Sequence, residues 1–157
     1  MTVVMRTAKR EDLPGIVALL ADDALGAKRE QFQDPLPDFY YQAFQAIDSD
    51  PHQRLMAAEK EGRVVGTLQL TFIPNLTYRG GWRAQIEGVR ISSEMRGEGL
   101  GAKMVSHAVE QAREKGCIMI QLSCDKSREA SRKFYEGLGF NATHDGMKLW
   151  FKGGRTG

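Results

Sequence analysis

The period of the hydrophobic positions changes several times along the chain, and each change marks an element. Val3 to Arg6 reads as a first strand. From Asp12 to Leu20, residues Leu13, Ile16, Val17, Leu19 and Leu20 form a helical stripe, with Pro14 in the first turn, where a missing N–H is tolerated. Ala21 to Leu36 is polar and mixed, a loop or a broken helix. Asp38 to Ile47 predicts a second helix with an aromatic face of Phe39, Tyr40, Tyr41 and Phe44, serving either core packing or a binding wall. Arg54–Lys60 and Val64–Ile73 alternate as strands and turn at Glu61-Gly62-Arg63, so they read as a hairpin. A longer connection marked by Pro74-Asn75-Leu76 and Gly80-Gly81 leads to a third antiparallel strand, Trp82–Ile91. Gly99 to Lys115 is amphipathic. Leu100, Met104, Val105, Ala108, Val109 and Ala112 lie on one face, and Lys103, Glu110, Arg113 and Glu114 on the other, which also carries His107. Ile118–Ser123 reads as a short buried strand. A helix follows in which Ala130, Phe134 and Leu138 recur every four residues as a buried stripe. A terminal hairpin, Phe140–His144 and Met147–Lys152 about Asp145-Gly146, and a frayed tail over 153–157 complete the chain.

The order is strand, two helices, three antiparallel strands, helix, strand, helix, two strands. It predicts an α+β fold, a mostly antiparallel mixed sheet flanked by helices. The helix between Ile91 and Ile118 makes one parallel βαβ crossover. Repeats, linkers and low-complexity segments are absent, and 157 residues suit a single domain over 1–157.

Composition narrows the class. Hydrophobic content of 41% and charged content of 27% are those of a soluble globular protein. A net charge of +2 is too small to point to nucleic acid. An apolar leader is not seen at the start and no run is long enough for a bilayer, so neither membrane nor export is expected. Cys117 and Cys124 flank one short strand and read as reduced thiols, which fits a cytoplasmic location. His52, His107 and His144 are far apart, and no Cys/His cluster has metal-ligand spacing, so no metal is expected.

The candidate chemistry begins at Arg96-Gly97-Glu98-Gly99-Leu100-Gly101, between the β-branched run Gly88-Val89-Arg90-Ile91 and the amphipathic helix. A helix start leaves N–H groups without intrahelical partners, and the helix dipole adds partial positive charge there. Glycines let a ligand approach that backbone closely. The turn therefore suits a phosphate or pyrophosphate, bound by the amides of Gly97 to Ala102. It lacks the Gly-Lys-Ser/Thr of a P-loop. Its glycine spacing is not the dinucleotide fingerprint of an opening βαβ unit. As a residue alone, Tyr135 reads as a half-buried core tyrosine.

Two motifs together carry a family resemblance. The turn matches Arg/Gln-x-x-Gly-x-Gly/Ala, and Phe134-Tyr135-Glu136-Gly137-Leu138-Gly139-Phe140 matches Phe/Leu-Tyr-x-x-x-Gly-Phe. Met5 to Ile16 looks like the opening strand and helix of the same group. The whole chain resembles the GNAT superfamily of acyl-CoA-dependent N-acetyltransferases. The resemblance implies acetyl-CoA as cosubstrate and the primary amine of a small molecule or protein as acceptor, joined by direct attack in a ternary complex. It implies a cofactor path along Val89, Arg90 and Ile91 and around Arg96, Gly97, Glu98, Gly99, Leu100, Gly101 and Ala102. Tyr135 would protonate the departing thiolate. Glu87 would be the base, or else an exposed strand carboxylate paired with Arg83 or Arg90. Glucosamine-6-phosphate acetyltransferases place an acid at this point and usually a second one after it, where this chain has Gly88. Family members often carry Asn seven residues before the tyrosine to bond the cofactor arm; here Arg128 stands there as the cofactor contact. Tyr78, Trp82 and Arg83 suit either an aromatic, basic wall for an amine bearing a carboxylate or phosphate, or packing at the sheet edge. The aromatic helix face and terminal hairpin are candidate surfaces for a homodimer, as relatives often pair. A non-catalytic acyl-CoA-binding regulatory module is the competing reading, and a dead module would be expected to tolerate losing Tyr135.

Overall fold

The computed structural model describes residues 2–153, so the expected tail beyond Gly153 lies outside the described residues. The chain forms two compact units, one ending at Gln121 and the other beginning at Leu122.

The first unit holds β1 (Val4–Thr7), α1 (Leu13–Ala21), α2 (Ala24–Arg29), α3 (Asp38–Asp48), β2 (Gln53–Lys60) and β3 (Arg63–Ile73). After them come the single turn α4 (Thr77–Gly80), β4 (Arg83–Ile91), α5 (Leu100–Glu114) and β5 (Met119–Gln121). The strands make one sheet in the order β1-β2-β3-β4-β5. Neighbours pair antiparallel from β1 to β4, and β4 pairs with β5 in parallel, as the α5 crossover requires.

Alternation along the strands sorts side chains onto two apolar faces. Ala57 packs with Ala8 and Ile16, while Leu13, Val17 and Leu36 form an adjoining cluster with Leu55 and three α3 aromatics, Tyr40, Tyr41 and Phe44. These aromatics therefore serve core packing, and Phe39 is left half exposed at 52%. On the other face, Gly66 has no side chain where the Met104 sulfur of α5 settles, 2.6 Å from where a Cβ would stand. The α5 stripe follows the expected period, with Leu100, Met104, Val105, Ala108 and Ala112 buried; His107, expected to be exposed, is half-buried. A side-chain network ties the start of the chain to the sheet edge. Arg6 donates to both Asp12 oxygens, at 2.7 and 2.9 Å, and to Glu59 at 2.9 Å. The Asp12 carboxylate also accepts from the Lys9 amide, and its bonds to Arg6 hold it below the usual carboxylate range.

The mixed stretch 21–36 resolves into the short helix α2. Asp23 caps it by accepting from the Gly26 amide at 2.6 Å. Gly26 is there for space: a Cβ would lie 1.9 Å from the Leu20 carbonyl oxygen. Gly26→Ala is expected to destabilise the fold by about 1–3 kcal/mol, the range for overpacking. An unchanged thermal midpoint in the variant would contradict this contact.

The second unit contains α6 (Glu129–Gly137). Gly139, at φ +97, ends it as a left-handed C′ residue. Two expectations are corrected here. Ala130 is exposed and Phe134 and Leu138 are each 37% exposed, so the stripe is not buried. The terminal hairpin is not formed among the described residues, where no strand follows α6. Met147, Leu149 and Phe151 alternate as a strand would, but are 93%, 82% and 91% exposed. Alternation supplies propensity only, and a strand also needs a paired neighbour and a covered face. The strand expected over Ile118–Ser123 shortens to Met119–Gln121, and Ile118 is 49% exposed.

Candidate active site

β4 is irregular where it faces β3. Cross-strand partners run Gln69↔Glu87 and then Thr67↔Arg90, so Gly88 and Val89 together face the single residue Leu68. This is a β-bulge, and Gly88 adopts φ +63, a conformation that favours glycine. The bulge bends β4 just past Glu87. Pairing with β5 covers only Arg83–Gln85 against Met119–Gln121. From Glu87 to Ile91, β4 has no β5 partner among the described residues. The Arg90 guanidinium donates to the Val89 carbonyl at 2.8 Å within this segment.

The path then enters the glycine turn. Met95, 4% exposed, anchors a 3₁₀ turn over Ser93–Met95. Gly97 and Gly99 follow at φ +80 and +75. A Cβ on either would meet no heavy atom within 4 Å, so the turn is lined by open space. Gly99 is the N-cap of α5 and supplies no side-chain cap, which leaves the first-turn amides of Leu100, Gly101 and Ala102 uncapped at the positive end of a 15-residue helix. The Leu100 side chain is buried, so it offers a ligand its backbone only. Arg96, Glu98 and Lys103 are exposed around the turn. This cradle fits a pyrophosphate.

Glu87 is exposed, and its Oε1 accepts from the Gln85 amide at 3.2 Å. Arg83 donates to the Thr77 hydroxyl at 3.2 Å and lies 5.9 Å from the Tyr78 ring centroid. Its buried Nε has no hydrogen-bond partner. Tyr78 and Arg79 are left-handed, at φ 53 and 58, and Tyr78 is 66% exposed. Trp82 packs on His52, with ring centroids 5.1 Å apart. Trp82 is thus the edge-packing member of this group, and Tyr78 is the one that faces outward.

Tyr135 and Arg128 belong to the second unit. Tyr135 is half-buried on α6, edge-on to Phe134 and Phe140 with centroids 5.0 and 5.7 Å away. Arg128 is the N-cap residue of α6. Burial pushes both the Cys117 and Cys124 thiols up. No group of three or more metal-ligating side chains occurs among the described residues, and no helix there is long and apolar enough to cross a membrane.

Gln85 was not singled out from the sequence. Its signal is parity: Arg83, Gln85 and Glu87 fall on one face of a strand whose other positions, Ala84 and Ile86, are buried.

Residues 20–140 match the model of the acetyltransferase (GNAT) family. The chain belongs to that family of enzymes, and the sheet with its single parallel pair is the GNAT-like fold. Over 96 residues the chain is 35% identical to a glucosamine 6-phosphate N-acetyltransferase of Trypanosoma brucei brucei, a match covering 61% of this chain and 63% of that protein. Over 146 residues it is 28% identical to an aminoalkylphosphonate N-acetyltransferase of Salmonella typhimurium, covering 89% of this chain and 86% of that protein. A crystal structure from Bacillus halodurans C-125, described as a transcriptional regulator, superposes with a TM-score of 0.93 at 49% identity, over 96% of this chain and 100% of that one.

Proposed function

We propose that this chain transfers the acetyl group of acetyl-CoA to the primary amine of a small acceptor by direct attack in a ternary complex. The observation that carries the reading is the stretch of β4 beyond its pairing with β5, which runs into an uncapped, glycine-lined helix start. In this reading Val89 to Ile91 pair with the amides of the pantetheine arm. Gly97 to Ala102 hold the pyrophosphate, with Arg96 and Arg128 supplying positive charge. The acceptor nitrogen attacks the thioester carbonyl, the N–C bond forms and the C–S bond breaks. Glu87 takes the proton from the amine, directly or through water, and the Tyr135 hydroxyl gives its proton to the thiolate. Both groups then reset by exchange with water. The Val89 amide donates to the developing oxyanion.

The acceptor we favour carries an anion as well as its amine. Arg83 and Tyr78 support this, as do two relatives named for amines bearing a phosphate or a phosphonate. The B. halodurans relative favours a second reading, an acyl-CoA-binding regulatory module on the same fold. A thiol-release screen with acetyl-CoA and panels of amino acids, amino sugar phosphates, aminophosphonates, polyamines and peptides separates the two. CoA bound without release on any amine would favour the regulator.

Gly99→Val tests the cradle. Valine at a left-handed position is strained, and its branched side chain stands in the space the turn keeps open. We expect a folded variant whose CoA affinity by calorimetry falls at least roughly tenfold, as when a charged ligand loses its backbone donors. Unchanged affinity would remove the cofactor assignment.

A further inference from the structure

Four strands contribute one polar row to the sheet face that carries Glu87. Gln53 on β2 stands opposite Thr71 on β3, Thr71 opposite Gln85 on β4, and Gln85 beside Gln121 on β5. All four are half-buried, whereas the intervening Leu70, Phe72, Ala84 and Ile86 are at most 2% exposed. The row is divided in two by its own hydrogen bonds. Gln69 and Thr71 both donate to the Gln53 oxygen, at 2.8 and 2.9 Å. Gln69 is the cross-strand partner of Glu87 but is committed to Gln53 instead. On the other side, Gln121 donates to the Gln85 oxygen at 2.9 Å, and Gln85 donates to Glu87 at 3.2 Å.

Chemistry dictates the direction of this second chain. An ionised carboxylate only accepts, so Gln85 must present its NH2 to Glu87. Its oxygen then faces Gln121, which must present its NH2 in turn. We propose that Gln85 and Gln121 are positioning residues for Glu87: Gln121 fixes the Gln85 amide, and Gln85 holds one carboxylate oxygen so that the other is aimed at the acceptor amine. An exposed glutamate beside a bulge otherwise samples many rotamers, and the relay selects one. The proposal rests on the reading of Glu87 as the base, and its first test does not need an acceptor.

In that test the side-chain NH2 resonances of Gln85 and Gln121 are followed by NMR in Glu87→Leu. Both are expected to shift, although Gln121 does not bond Glu87. A shift at Gln85 alone would overturn the relay. The second test is a double-mutant cycle on turnover. Gln121→Glu places a carboxylate where the donor was, pulls the Gln85 amide around and leaves Glu87 facing an oxygen. We expect kcat to fall roughly tenfold, with the acetyl-CoA KM unchanged, and the same substitution to have little effect in a Glu87→Gln background. Equal losses in both backgrounds would show Gln121 acting through the fold alone and would overturn the proposal. A wild-type chain that acetylates no amine, with both resonances moving in Glu87→Leu, would sink the transfer reading and uphold the relay.

Discussion

Tyr135→Phe is expected to lower kcat by roughly 10²–10⁴-fold, the span for losing a positioned general acid, while acetyl-CoA affinity stays close to wild type. A phenol O–H is a hydrogen-bond donor and can give its proton to a thiolate as the C–S bond breaks. The charge on sulfur exists only as that bond fails, so the hydroxyl acts on the transition state and not on ground-state binding. The substitution keeps the ring. The edge contacts with Phe134 and Phe140, at 5.0 and 5.7 Å, depend on that ring and hold α6 in either variant. Lost activity in a folded protein with intact CoA binding therefore reports the missing proton. Full turnover in Tyr135→Phe would return the residue to a packing role.

Glu87→Gln is expected to reduce kcat by about 10²–10⁴-fold and to flatten the acidic limb of the pH–rate profile. In the wild type the carboxylate takes the amine's proton, and a neutral amide does not replace it as a base. Glutamine has the same length and still accepts from Gln85, so the local hydrogen bond survives while the base is lost. The residue is exposed and its stability cost is small, which separates it from Gly26→Ala. An unaltered profile in Glu87→Gln would mark this side chain as an ordinary surface carboxylate.

Elements with a complete local signal were legible before the structure. The α5 stripe, the β2–β3 hairpin and the glycine turn each state their conformation in a few consecutive residues. The bulge at Gly88 was not legible, since a lone glycine in a strand is equally a weak point, a bend or a close approach. The end of β4–β5 pairing at Gln85 and Gln121 was not legible either, because it depends on residues more than 30 positions apart. The same holds for Gln121, whose role appears only when the parallel register sets it beside Gln85. The error over the terminal hairpin has the opposite origin: Met147, Leu149 and Phe151 carry a strand's alternation with no strand beside them among the described residues. On α3, burial decided between two readings that the pattern left equal, since Tyr40, Tyr41 and Phe44 pack inward and Phe39 does not.

The account turns on acetyl transfer at the β4 edge and the α5 start. The most direct test incubates wild type and Gly99→Val with acetyl-CoA and the amine panel, and follows thiol release together with the mass of the amine. The account predicts equal amounts of free CoA and N-acetylated product for at least one anionic amine with wild type, and loss of both with Gly99→Val. CoA binding without acetylation of any amine would contradict it, as would undiminished turnover in the variant.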